Sequence, residues 1–157
     1  MSIQKVREYL SAFNAEGRIT ELDSSSATVQ LAAEALGCEP RRIAKTLSFR
    51  IDSGCILVVA AGDAKIDNHS FKTTFGVKAK MLSPEEVENE VGHAVGGVCP
   101  FAVNDGVRIF LDESLKRFET VFPACGSSNS AIELNLAELE RFSKFEDWVD
   151  VCKDWRD

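Results

Sequence analysis

The sequence predicts an α+β fold around a mixed sheet that can close on itself. Three observations carry this. Helical spacing of apolar residues ahead of Gly37 gives way to alternation and short apolar runs after Ile43. The later strands are interrupted by short helices, without the regular strand–helix alternation of a parallel α/β sheet. A chain of 157 residues, 45% hydrophobic and 27% charged, is the size of one domain and can bury a core without staples.

Taken in order, Ile3–Phe13 carries Ile3, Val6, Leu10 and Phe13 at helical spacing, and Gly17 follows as a stop. Ile19–Leu22 reads as a short strand. Ser24, Ser25 and Ser26 offer N-caps for a helix bearing Val29, Leu31, Ala32, Ala35 and Leu36, which Gly37 ends. Ile43–Ile51 and Ile56–Ala61 read as strands joined by the turn Asp52-Ser53-Gly54. Asn68–Phe75 is a short helix closed by Gly76, and Lys78–Leu82 alternates weakly. Ser83-Pro84-Glu85-Glu86 has the form of a capping box with proline at the first helical position, opening a helix that runs to about Val91. Strands then dominate: Val98–Val103, Val107–Leu111, Thr120–Ala124 and Ala131–Leu134, with Asn104-Asp105-Gly106 as a hairpin turn. Asn135, with Glu138 three residues on, opens the next helix. Phe145–Trp155 reads as a further helix with Phe145, Trp148, Val149 and Cys152 on one face.

The net charge of −7 and pI of about 4.9 argue against a DNA-binding protein, whose usual footprint is a basic surface. Charge is segregated, however. EPRRIAKTLSFR is strongly basic, while SPEEVENE and FEDWVD are acidic, so a local basic face can coexist with the acidic sum. No apolar run of about 18 residues is present to span a membrane. The charged, amphipathic start MSIQKVREYL is unlike a signal peptide, and a cytoplasmic protein is expected. The five cysteines, Cys38, Cys55, Cys99, Cys125 and Cys152, are odd in number and form no CxxC. Neither His69 nor His93 is spaced with them as a ligand. Reduced thiols are expected, with no disulfide framework, no metal and no cofactor. GxSxG, P-loop and GxGxxG motifs are absent.

Three places could carry chemistry. Lys45 shares a strand face with Ile43, Leu47 and Phe49 by period-2 counting. It is either a snorkelling edge lysine or a cation at a pocket floor, since burying an ammonium is costly. Gly96-Gly97-Val98-Cys99-Pro100 is either a bulge entering a strand or a backbone cradle for a ligand. Gly126-Ser127-Ser128-Asn129-Ser130 is either a plain loop or a source of hydroxyl and amide donors. Cys99 invites a thiol-nucleophile reading, but no basic group is evidently paired with it. Asp63 is a candidate turn cap or pocket group, and His69 a helix-surface residue. Trp148 and Trp155 read as packing residues.

The ordered set does more than its parts. AAEALGCEPRRIAKTL, GDAKID, SPEEV, VGGVCPF and GSSNSAIELN, from about Ser26 to Leu139, resemble the YbaK/ProX (EbsC-like) aminoacyl-tRNA deacylases. These are free-standing relatives of the editing domain of bacterial-type prolyl-tRNA synthetase. The resemblance implies a single editing domain over residues 1–157, with a mixed, barrel-like sheet surrounded by helices. It implies hydrolysis of mischarged aminoacyl-tRNA, a small amino acid such as alanine or cysteine on proline tRNA, with a prolyl-tRNA synthetase as a possible partner. It implies that Lys45 is the catalytic residue that positions the terminal adenosine and ester. Gly96, Gly97, Val98, Cys99 and Pro100, with Gly126, Ser127 and Ser128, would bind substrate, and Arg41 and Arg42 would meet the acceptor end of tRNA. Ala124 and Ala131 stand where the cysteine-removing branch has polar residues, and Gly126-Ser127 where the alanine-removing branch has an Asn-Thr pair. The rival readings are a non-catalytic tRNA- or synthetase-binding module of the same fold, a Cys99-dependent thiol enzyme, and a small-ligand carrier.

Overall fold

A computed structural model of the chain describes residues 2–52 and 54–156. The first helix, α1 (Ser2–Ser11), buries Val6 and Leu10 against the core. Tyr9 Oη donates to the carbonyl of Phe142 at 2.5 Å, and the Phe13 and Phe142 rings lie 4.6 Å apart, tying this end of the chain to a much later helix. After a 3-10 turn comes β1 (Thr20–Glu21). Helix α2 (Val29–Leu36) is capped not by the serine run but by Thr28, whose hydroxyl accepts from Leu31 N at 3.1 Å. The helix starts too late for Ser24–Ser26 to reach its free amides.

The main sheet grows from the hairpin of β2 (Ile43–Ile51) and β3 (Gly54–Ala61). Of the expected turn between them, Ser53 lies outside the described residues, and Asp52 takes a left-handed φ of 36°. Every residue of β3 from Ile56 to Ala61 has no exposed surface, so both faces of this strand are covered. Alongside lie β5 (Arg108–Asp112), β6 (Thr120–Pro123), β8 (Leu134–Asn135) and β9 (Asp147–Val149). The six strands run in the order β8-β6-β2-β3-β5-β9. β2 with β6, β3 with β5 and β5 with β9 are parallel, while β2–β3 and β6–β8 are antiparallel. The sheet is therefore mixed, as expected, and it curls as a half-barrel flanked by helices. Two small antiparallel pairs accompany it: β1 with β7 (Ser130–Ala131), and β4 (Lys65–Ile66) with β10 (Cys152–Lys153). Helix α3 (Asn68–Phe75) is capped by Asp67 and ends at Gly76. Helix α4 (Pro84–Glu86) begins with the expected capping box and continues as a π-helical turn over Val87–Val91. Helix α5 (Leu136–Ser143) opens with a second capping box, Asn135 and Glu138.

Three expected elements do not form. Val98–Val103 is irregular rather than a strand. Pro100 has no N–H to donate, and Ala102 sits at a φ of 54°, which breaks an extended run. Cys99 and Phe101 are completely buried all the same, and Val98, Ala102 and Val103 pack half-buried against them and the rest of the core, so the run joins the core without being sheet. With no strand before it, Asn104-Asp105-Gly106 is a turn but not a hairpin. Asn104 instead donates to the carbonyls of Asn89 and Glu90, both at 3.2 Å, at the end of the π-helical turn. Finally, Phe145–Trp155 is not a helix: it supplies β9 and β10, which pair with β5 and β4. Ala131–Leu134 also divides, its ends joining different strands, β7 and β8.

Candidate functional site

A cavity of about 430 Å³ opens where β2, the segment before α2, the glycine loop and β6–β7 converge. Six consecutive residues of β2, Ile43 to Ser48, contribute to its wall. Most of the rest is apolar, with Val29, Ala32, Leu82, Val87, Phe122 and Ala131 among the lining residues. Met81 and Val95 also line it and remain 57% and 61% exposed, an apolar rim that no core claims.

Lys45 is half-buried in this wall. Its ammonium donates to the carbonyl of Ala64, in close contact, and to that of Gly62 at 3.4 Å. Desolvation lowers its pKa below the ordinary lysine value of 10.5, partly countered by Cys152 and Asp63. No carboxylate oxygen lies within salt-bridge distance of it among the described residues, so the charge is held by main-chain dipoles. The nearby Asp63 is engaged by Arg117 at 2.6 Å. Within hydrogen-bond reach of β2, the sequence thus assembles a cation beside an apolar cavity.

The two small-residue loops meet here. Gly96, at a φ of 96°, and Val98 line the cavity. Gly97 points the other way: a Cβ on it would lie 2.7 Å from Gly126 C and Ser127 N. The second glycine therefore lets two backbones touch, and its N–H already donates to Ala94 O at 3.0 Å. Ser128 Cβ is 3.5 Å from where a Gly96 Cβ would be. Gly126 is buried, and the hydroxyl of Ser127 donates within its own loop, lying 2.9 Å from Asn129 Oδ1 and 2.7 Å from Ser130 Oγ. The lining residues from this stretch are Ala124, Ser130 and Ala131 rather than Gly126, Ser127 or Ser128.

Cys99 and Pro100 are buried under the glycine loop. The Cys99 thiol lies 3.6 Å from His93 Nε2 and 3.7 Å from the Phe101 carbonyl. This thiol–imidazole pair was not visible in the sequence. Burial pushes the thiol up to about 12 and holds the histidine below its usual value, so both are neutral, and neither lines the cavity. Arg41 is exposed and paired with Glu39 at 2.8 Å. Arg42 is committed to the fold: it bonds Thr120 and Glu133 and lies 5.0 Å from the centre of the Phe122 ring. His69 is exposed on α3. Sequence reasoning overlooked Ser26, Thr46 and Phe122 as cavity residues. The serine run suggests a cap rather than a cavity wall, and neither Thr46 nor Phe122 carries a sequence signal that marks it as lining a cavity.

The site is thus a partly apolar cavity in an α+β domain with a curled mixed sheet, with a half-buried cation in its wall and two contacting backbone loops beside it. The aminoacyl-tRNA editing domain matches residues 23–142, and the chain belongs to that family. It is an aminoacyl-tRNA deacylase, a hydrolase of the ester that joins an amino acid to tRNA. The chain is 56% identical over 156 residues to YwhH of Bacillus subtilis (strain 168), described as uncharacterized, covering 99% of each. It is 28% identical over 125 residues to the proline--tRNA ligase of Thermosipho melanesiensis, covering 79% of this chain and 22% of that one. It thus spans about a fifth of that ligase's length. A crystal structure described as that of a candidate trans-editing enzyme for prolyl tRNA synthetase superposes with a TM-score of 0.87 at 27% identity, covering 97% of each chain. No helix among the described residues is long and apolar enough to cross a membrane.

Proposed function

We propose that this chain is, over its whole length, one free-standing editing domain that removes a small amino acid from mischarged proline tRNA in the cytoplasm. The family resemblance brings alanine and cysteine forward as candidates. The observation that carries the reading is Lys45, a cation held by carbonyls in the wall of an apolar cavity that Gly96 and Val98 also line. The 3′ end would enter past the exposed Met81 and Val95, with the aminoacyl group in the cavity.

Lys45 would orient the terminal ribose and ester. The amides of Gly96 and Val98 would polarise the ester carbonyl, where negative charge develops as the tetrahedral intermediate forms. The Gly97 N–H, already bonded to Ala94 O, would hold the loop's shape instead. Water, oriented by the free ribose hydroxyl, would attack the carbonyl carbon, or a side-chain thiol of the substrate would do so and depart as a thiolactone that water then opens. The bond to the ribose oxygen then breaks, and that oxygen takes a proton. No protein nucleophile is needed, because an aminoacyl ester is activated and positioning supplies much of the rate. Similarity to the proline--tRNA ligase and to the candidate trans-editing enzyme supports proline tRNA, with a prolyl-tRNA synthetase as a possible partner.

The test is to incubate the protein with proline tRNA charged separately with alanine, cysteine, serine and proline, with Lys45→Ala alongside. Hydrolysis of a mischarged ester but not of the prolyl ester, falling at least about 100-fold in Lys45→Ala, is the expected result. No hydrolysis on any tRNA, with or without a prolyl-tRNA synthetase, would overturn the reading in favour of a binding module.

A further inference from the structure

The cavity wall holds two hydroxyls with nothing to bond. Among the described residues, the buried side-chain polar atoms without a hydrogen-bond partner are Glu16 Oε2, Ser26 Oγ, Thr46 Oγ1 and His93 Nδ1. Ser26 and Thr46 both line the cavity, one from the segment before α2, the other from β2. An unbonded buried hydroxyl costs stability, and alanine at either place would carry no such cost.

Ser26 has no structural duty for its side chain. Its neighbours do: Ser25 Oγ accepts from Ala27 N at 3.2 Å, and Thr28 Oγ1 caps α2. The backbone of Ser26 is fixed, its N–H donating to Ser128 O at 2.5 Å, so the residue is pinned to the serine loop. It is only 9% exposed. The cavity around it is mostly apolar, so a polar atom on a bound group would find few other partners.

We infer that Ser26 is a specificity-determining residue: rotation about χ1 turns its hydroxyl to the cavity, where it bonds a hydroxyl on the β-carbon of the bound aminoacyl group. The inference rests on the deacylase reading of this cavity. It ranks serine ahead of cysteine, because a thiol is a weak donor and acceptor. It ranks both ahead of alanine, which offers no polar atom. A site that hydrogen-bonds a substrate hydroxyl discriminates against the analogue lacking it, because its own polar group is then left unpaired.

The experiment measures kcat/KM of wild type and Ser26→Ala on one tRNA charged separately with serine, cysteine and alanine, together with a thermal melt. Wild type is expected to favour the seryl over the alanyl ester by roughly tenfold or more. Ser26→Ala is expected to bring that ratio within about threefold by losing seryl turnover, with alanyl turnover kept and the melting temperature not lowered. A ratio unchanged in Ser26→Ala, or a wild type that prefers the alanyl ester, overturns the inference and leaves the deacylase reading standing. If wild type hydrolyses none of the esters on any tRNA, the deacylase reading falls, and this inference with it.

Discussion

Lys45 donates to two carbonyls instead of a carboxylate, so its charge depends on burial more than on a partner. Its pKa is lowered, and the cation that would orient the ester is lost at a lower pH than for an exposed lysine. The rate advantage over uncatalysed hydrolysis should therefore decline below the ordinary lysine range, and Lys45→Arg should push that decline upward; a pH–rate profile of both proteins checks it. Cys99 is the opposite case. Its thiol is buried and neutral, so Cys99→Ala should retain deacylation within about threefold, and loss of activity in a variant that still melts normally would restore the thiol-enzyme rival. Gly97→Ala should do more harm than either, because its Cβ would meet the backbone of Gly126 and Ser127. A loss of about 2–3 kcal/mol in a denaturant melt is expected.

At the scale of elements, the parts with strong local signals were legible: the β2–β3 hairpin, the two capping boxes, and α3 closed by Gly76. Lys45 was legible as an unusual strand residue for the same reason, a charge out of place in an alternating strand, and the fold sets it in the cavity wall. What failed was decided by distant partners. Phe145–Trp155 has apolar residues at a spacing that suits a helix, but the free edges of β5 and β4 capture it as β9 and β10. Val98–Val103 is as apolar as a strand, yet no neighbour offers it a ladder. Ser26 and the buried His93–Cys99 pair were hidden because burial of a polar atom is a fact of packing, not of spacing. The captured C-terminal strands make a prediction: removing residues 145–157 should uncover the edge of β5 and promote self-association, read by light scattering and a lowered melting temperature.

The whole molecule carries a net charge of −7, so tRNA must be met on a restricted face. Arg41, exposed and proposed to meet the acceptor end, is paired with Glu39, while Arg42 is bound to Thr120 and Glu133. Arg41→Glu should accordingly raise KM for charged tRNA with the melt unchanged, whereas Arg42→Glu should lower the melting temperature itself. Acid stability is also a global property. His93 is buried and neutral, with its pKa lowered from 6.5, so the stability this adds is complete above about pH 6.5 and is lost as pH falls below it. His93→Gln should flatten the fall in melting temperature between neutral and mildly acidic solution. The pairing of β9 with β5 and of α1 with Phe142 has a further consequence, for synthesis. A growing chain can close the β2–β3 hairpin early, but β2 waits for β6, β5 waits for β9, and α1 waits for α5. Until the last of these emerges from the ribosome, the nascent chain presents an uncovered helix face and a bare strand edge, so its yield should depend on translation rate and chaperone supply more than its final stability would suggest.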